Sequence, residues 1–381
     1  EVLSDVVWAI RSTKPDVIIN RFSTDTSRPN HGHHTASAIL ALEAFDLAAN
    51  KSSFPDQLSF VTPWQPRRIF WNTSYWFYGS REAFDKADKS KMLALDIGSF
   101  DPVTGESNSE IAGRSRSMHK SQGFGSAETR GESLDYIDLL KDAEGTIPKS
   151  LFEGIDITWN RVAGGAAIAP LVQALESSFD FKSPSKSIPQ LLRIHQSILA
   201  LPASDWKRIK LADCEKLIKD CLGLFVELRT NKFKASPGSE LLVTLEVINR
   251  SNTEVRLVSM EVTSNDNVFA LPSTLVYNQG YTKELTIQTP EQLSIPYWLI
   301  KHPEEGMYKV DQQKKRGTPA DPPSITAAVK IEINGTSITL QAPVIYKTVD
   351  PAEGEVIRPL SIIPPVTVES NDEVLMFNQG H

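Results

Sequence analysis

The chain has 381 residues, with 40 Lys and Arg against 47 Asp and Glu for a net charge of −7, and it is 40% hydrophobic and 23% charged. Such a composition belongs to an ordinary globular chain long enough for two or three domains. It lacks the basic field that a phosphate backbone or an anionic membrane surface requires, so no nucleic acid partner is expected. No membrane span is expected either, because the longest small and apolar stretch, Val162 to Leu175, contains Pro170 and falls short of the ~20 residues a spanning helix needs.

At the start, Ser4 heads a run whose apolar positions Val6, Val7, Ala9 and Ile10 predict a capped helix, followed by a short buried strand at Asp16-Val-Ile-Ile-Asn20. A polar loop from Arg21 to Asn30 leads into a helix from about His34 to Ala49, and a second strand is predicted at Arg68 to Asn72. Helix, strand and helix in this order give the rhythm of a layered α/β sheet. Ser107-Asn-Ser-Glu110 is a capping-box pattern, which predicts a helix from Ser107 to about Lys120 that ends at Gly123. A short strand is predicted around Leu134 to Leu140.

Three helical stretches follow, near Ala166–Ser178, Ile188–Leu201 and Asp205–Leu222; the stripe Leu191, Ile194, Ile198 and Leu201 reads as core packing. Cys214 and Cys221 lie seven apart in the last of these, about 10 Å along a helix, which is beyond disulfide reach. From Leu224 the period changes to two, with Val243, Leu245 and Val247 alternating with polar residues. Asn334-Gly335 between two alternating runs is the strongest hairpin signal in the chain. Several such strands predict a β-sandwich over 224–348, after a layered α/β domain with a helical extension over 1–223. Pro351, Pro359, Pro364 and Pro365 mark 349–381 as an extended linker and the start of a further region.

The densest set of potential ligands is Asn30-His31-Gly-His33-His34, at a loop-to-helix junction after a strand. A helix N-terminus disfavours imidazolium, and neutral imidazole is the form that ligates zinc. A catalytic zinc takes about three protein ligands, so the cluster supplies one or two and the rest must come from elsewhere. A polar helix cap is the competing account of the same residues. Asp25 reads either as a carboxylate orienting a histidine or as an Asx-turn residue. A second cluster, Arg114, Arg116, His119, Lys120 and Gln122 before Gly123, suits a hydroxyl-rich or anionic ligand, or else a basic helix C-terminus satisfying its own dipole. Trp71 and Tyr75 to Tyr78 are aromatic enough to stack on a sugar face or to fill a core. Ser121 and His119 are a candidate Ser/His hydrolase pair, with no nucleophile turn or third member to accompany them.

The segments Asp16-Val-Ile-Ile-Asn20, His31-Gly-His-His34 to Phe45, Pro63-Trp-Gln-Pro66, Trp71-Asn-Thr73 and Glu110 to Gly125 together resemble the PIG-L/LmbE family, in its large secreted bacterial branch. The resemblance implies a Rossmann-like fold, a zinc cofactor, secreted or periplasmic localisation, and removal of N-acetyl groups from N-acetylglucosamine-type sugars or glycoconjugates. It makes His34 a metal ligand and His31 the catalytic histidine. His33 stands where the family has an orienting Asp, which puts His33 and Asp25 in supporting positions. Arg114, Arg116, His119 and Gln122 become candidates for substrate contact. The family's Ala-His-Pro-Asp-Asp-Glu segment, which carries two more ligands and the general base, is not among the 381 residues. The resemblance therefore implies that the α/β domain is N-terminally incomplete, that zinc is expected only with the missing motif, and that an N-terminal fragment is a candidate partner. The alternative is a catalytically inactive carbohydrate-binding or interaction protein.

Overall fold

The computed structural model describes all residues except 28, 29, 263–266, 367 and 369–381. Residues 369–381, read above as the start of a further region, lie outside the described ones. The chain forms two units: Glu1–Ile157 with Asp311–Gly317, and Thr158–Val310 with Thr318–His381.

The first unit opens with α1 (Val2–Thr13), β1 (Val17–Asn20) and α2 (Gly32–Leu47). Ser4 is not the cap expected of it. The helix starts at Val2, and the Ser4 carbonyl and hydroxyl instead accept hydrogen bonds from Gln57 Nε2 at 2.8 and 3.1 Å. Val7, Ile10, Ala44 and Ala48 form the buried contact between α1 and α2, with Ile18 and Trp64 packed against them. Next come β2 (Arg68–Thr73), α3 (Arg81–Asp85), β3 (Met92–Asp96), the short strands β4 (Phe100–Asp101) and β5 (Glu106–Ser107), α4 (Asn108–Ser117) and β6 (Leu134–Asp142). The capping box that opens α4 is formed in full: Ser107 Oγ accepts from the Glu110 amide, and Glu110 Oε2 accepts from the Ser107 amide.

Among the described residues the main sheet runs β1-β2-β6-β3. β1 is parallel to β2, whereas β6 is antiparallel to both β2 and β3. It follows that β1, β2 and β3 all point the same way. Their carboxyl ends, and the amino end of β6, lie on one edge of the sheet.

The second unit contains α5 (Ala169–Ser178), α6 (Ile188–Leu199) and α7 (Asp205–Cys221), then β7 (Phe225–Thr230), β8 (Lys234–Ala235), β9 (Glu240–Ile248), β10 (Arg256–Val262), β11 (Asn267–Thr274), β12 (Gly280–Gln288), β13 (Thr326–Ile333), β14 (Thr336–Asp350), β15 (Gly354–Pro359) and β16 (Ser361–Ile362). The seam between units falls at Ile157, not near Gly223 as the change of period suggested. The reason is burial: Leu191, Ile198 and Ile218 of the helices share one apolar cluster with Leu228, Val243, Leu245 and Val329 of the strands. A helix with one apolar stripe must bury it against another layer, and here the strands provide it.

The strands follow one hydrogen-bonded path, β11-β10-β13-β14-β7-β9-β12, with β15 beside β14. β14 pairs with β13 through residues 336–343 and with β7 through 344–346, so it belongs to both halves of the path. Asn334 and Gly335 both adopt positive φ, 49° and 78°, the geometry a two-residue hairpin of matched twist needs. The segment read as a proline-rich linker is instead built into this unit: β15 pairs with residues 345–350 of β14, and β16 pairs with β8. Pro351 follows β14 and Pro359 ends β15, while Pro364 and Pro365 come after β16, so no ladder interior loses a donor. Cys214 and Cys221 are free; burial pushes the Cys214 thiol up to about 12, which makes it an inert packing group.

Candidate functional site

The site begins where β1 ends. After Asn20 the chain leaves the sheet, and Asn30 turns it into α2, with His31 in extended backbone as the N-cap and Gly32, His33 and His34 as the first helical residues. The imidazoles of His31, His33 and His34 are gathered so that one ligand nitrogen from each lies within 4.8 Å of the others. The His33 and His34 rings are closest, 4.1 Å between centroids, against 5.2 Å for His31–His34 and 5.7 Å for His31–His33. His31 makes no side-chain bond to the helix it heads, so the polar-cap account of this ring is not realised.

His34 is the most firmly held of the three. Its ring stacks on Phe22 at 3.9 Å with 6° between planes, and its Nδ1 lies 3.1 Å from Asn30 Oδ1. That oxygen also accepts from the His31 amide at 2.9 Å. An amide oxygen can only accept, so it places the proton on Nδ1 and leaves Nε2 as the lone-pair nitrogen. Desolvation, followed by the neighbouring His33 and His31 rings, holds the His34 imidazole below the ordinary histidine range, which favours the neutral form that ligates a metal. Asn30 thus does the orienting that the sequence assigned to a carboxylate. Asp25 turns elsewhere: its Oδ1 accepts from the Ser27 amide at 2.9 Å and the Ser27 hydroxyl at 2.6 Å, the Asx-turn alternative.

The donor set suits a divalent ion of intermediate softness. At a metal–nitrogen distance of about 2.0–2.1 Å, tetrahedral geometry sets ligand nitrogens about 3.4 Å apart. Asn30→Ala should leave the fold intact and lower metal affinity about 10- to 100-fold, the range typical when a group orienting a ligand is lost. Competition with a chromophoric chelator reads this directly, and unchanged affinity would remove Asn30 from the site.

Other candidate residues occupy the same sheet edge without being shown to touch the histidines. The chain leaves β3 at its carboxyl end, passes through α4, and returns at the amino end of β6. Strand spacing puts the ends of β1 and β3 about 14 Å apart. Arg114 is engaged by Glu106 at 2.6 Å and Glu128 at 3.6 Å, and the Glu106 bond raises its pKa. The Arg116 guanidinium lies 5.2 Å from the centre of the Phe124 ring, His119 heads the turn Lys120–Gln122, and Gln122 is exposed. His119 and Ser121 make no hydrogen bond to each other among the described residues, so a Ser/His pair gains no support. Between the two clusters, after β2, Tyr75 and Trp76 are 49% and 57% exposed, while Phe77 is buried.

A polar chain that the sequence did not reveal ties these strand ends together. Arg21 Nη1 donates to Asn72 Oδ1 at 2.6 Å, and Asn72 Nδ2 donates to Asp135 Oδ2 at 2.7 Å. The Arg21 guanidinium also lies 5.5 Å from the centre of the Phe77 ring. No single motif links residues 21, 72 and 135, because only the β1-β2-β6 order makes them neighbours.

No family model and no curated protein matches this chain. Among solved structures it is similar to Spo0M, the sporulation control protein of Bacillus subtilis, at 14% identity over 32% of this chain and 49% of that one, with a TM-score of 0.14. It is also similar to the alkylpurine DNA glycosylase AlkC of Pseudomonas fluorescens, bound to DNA containing an abasic site analogue, at 8% identity over 44% of this chain and 49% of that one, with a TM-score of 0.16. The chain spans about half the length of each. Overlap this shallow bears on neither fold nor chemistry. No helix among the described residues is long and apolar enough to cross a membrane.

Proposed function

We propose that this chain carries part of the active site of a metal-dependent amidohydrolase that removes acetyl groups from N-acetylglucosamine-type sugars, releasing acetate and a free amine. The observation that carries the reading is the convergence of His31, His33 and His34 within 4.8 Å at the carboxyl end of β1. In open α/β sheets, the carboxyl ends of parallel strands are where ligands bind. The motif resemblance supports the same residues.

His34 holds the metal through Nε2, with Asn30 fixing the ring. A bound zinc supplies Lewis acidity toward the acetamide carbonyl and lowers the pKa of water. His31, on an exposed N-cap beside it, donates a hydrogen bond to the oxygen that gains charge as the carbonyl becomes tetrahedral, or delivers a proton to the departing amine. The remaining ligands and the base come from a segment outside the 381 residues. β1 supports such an arrangement: it is the terminal strand of its sheet, with a free outer edge among the described residues where a further strand can pair. Tyr75 and Trp76 offer exposed aromatic faces for a sugar ring.

The same exposed pair favours a second reading, a carbohydrate binder without catalysis. Metal content and intact mass, measured on protein purified from the cells that make it, separate the two. The enzyme reading expects about one zinc per molecule, acetate release from an N-acetylglucosamine oligomer, and loss of both in His34→Ala. Oligosaccharide binding with no metal and no acetate release would favour the binder.

A further inference from the structure

We infer that His33 is itself a metal ligand, forming with His34 a two-imidazole chelate at the start of α2 that binds a divalent transition ion using this chain alone. The inference deepens the reading above, since it rests on the same site, but it replaces the supporting position that the sequence assigned to His33. Three observations carry it. The His33 and His34 rings are the nearest pair of the cluster, 4.1 Å apart, inclined by 65° and not stacked face to face, and a ligand nitrogen of each lies within 4.8 Å of the other. The His33 ring nitrogens have no hydrogen-bond partner among the described residues, and no ion pair engages them. The group that would compete for its position, a carboxylate orienting His34, is made unnecessary by Asn30 Oδ1 at 3.1 Å from His34 Nδ1. With orientation supplied from Asn30, the residue at position 33 is free to coordinate.

The chemistry of such a pair is specific. Two neutral imidazoles with no carboxylate in the chelate favour zinc, cobalt, nickel and copper over magnesium or calcium, which take oxygen ligands. His31 is further from both rings and is left to face the ligand that occupies the open positions. Consecutive helical residues diverge by about 100°, so the chelate requires that His33 and His34 reach sideways across the first turn.

Cobalt(II) binding by the full 381-residue chain tests the inference without any assay of activity. In His33→Cys, a thiolate placed directly on cobalt produces a sulfur-to-metal charge-transfer band in the near ultraviolet, and the titration should saturate near one cobalt per chain. His34→Cys serves as the reference for a coordinating position. His33→Ala should weaken cobalt binding more than about 100-fold, beyond the 10- to 100-fold that loss of an orienting group costs. Circular dichroism verifies that each variant keeps the parent fold, which is expected because His33 is exposed. A charge-transfer band in both cysteine variants supports the inference. A band in His34→Cys with none in His33→Cys overturns it and leaves the functional reading standing. No band in either also overturns the inference, because this chain alone then holds no ion, and it leaves the functional reading, whose other ligands lie outside the 381 residues, to the acetate-release test.

Discussion

Arg11→Met is expected to destabilise the first unit by about 3–5 kcal/mol, an effect at the upper end for a single substitution. Arg11 is fully buried in the contact between α1 and α2 and has no carboxylate partner among the described residues. Its guanidinium donates instead to the carbonyls of Leu47, Ala48, Asn50, Ser53 and Phe54 and to Gln57 Oε1, at 2.8 to 3.2 Å. Two of these carbonyls belong to the last turn of α2, the negative pole of the helix, where a cation is favoured. Hydrogen bonds to a charged group contribute about 1.5–3 kcal/mol each and are not additive. Most of the carbonyls keep a second backbone partner, such as the Trp64 amide on Ala48 O, which limits the loss. Burial lowers the Arg11 pKa, yet a guanidinium remains charged at any ordinary pH. Arg11→Lys should recover little, because a compact ammonium cannot span acceptors from residues 47 to 57. Native-state hydrogen exchange over residues 44–57 measures the effect. Protection unchanged to within about 1 kcal/mol would show that the carbonyls find water without cost.

Asp142→Ala should cost a similar amount, about 3–5 kcal/mol, through a different mechanism. Asp142 and Arg68 face each other across β2 and β6, with Arg68 Nε donating to Oδ2 at 2.7 Å and side-chain exposures of 2% and 1%. The other carboxylate oxygen accepts from the amides of Glu144 and Thr146, which shapes the turn after β6. Removing the carboxylate leaves a buried cation with the Leu151 carbonyl as its remaining acceptor among the described residues. The double replacement Arg68→Met with Asp142→Leu should restore the part of the loss that comes from the stranded cation, but not the part that comes from the Glu144 and Thr146 amides. Urea denaturation of both single variants and the double variant gives the coupling. Additive losses would mean that the two groups act independently.

The parts of this molecule that sequence reading captures are those where one local signal suffices. Asn334-Gly335 dictates its hairpin because both residues tolerate positive φ, and Ser107 with Glu110 dictates its helix start because the two side chains satisfy each other's amides. The three histidines are likewise local, so their convergence follows from sitting on one turn. Residues whose role depends on distant partners escape such reading. Arg11 looks like any charged residue on an amphipathic helix until the loop from 47 to 57 folds over it. Asn30 looks like a turn former, and its grip on His34 emerges only when α2 starts at Gly32. The three helices before β7 carry an apolar stripe that announces burial without saying against which sheet.

The first unit is discontinuous in the chain, and that imposes a timetable on its assembly. Trp8 is buried and its indole donates to the Arg316 carbonyl at 3.1 Å, while Arg316 pairs with Asp5. The piece that supplies these contacts, Asp311–Gly317, is made about 160 residues after Ile157. At 5–20 residues per second, the ribosome needs roughly 8 to 32 s to deliver it. For that interval the nascent chain holds α1 with the Trp8 side uncovered, a span far longer than helix or hairpin formation. A chaperone binding near Trp8 would find its substrate in that window and lose it once residue 317 emerges.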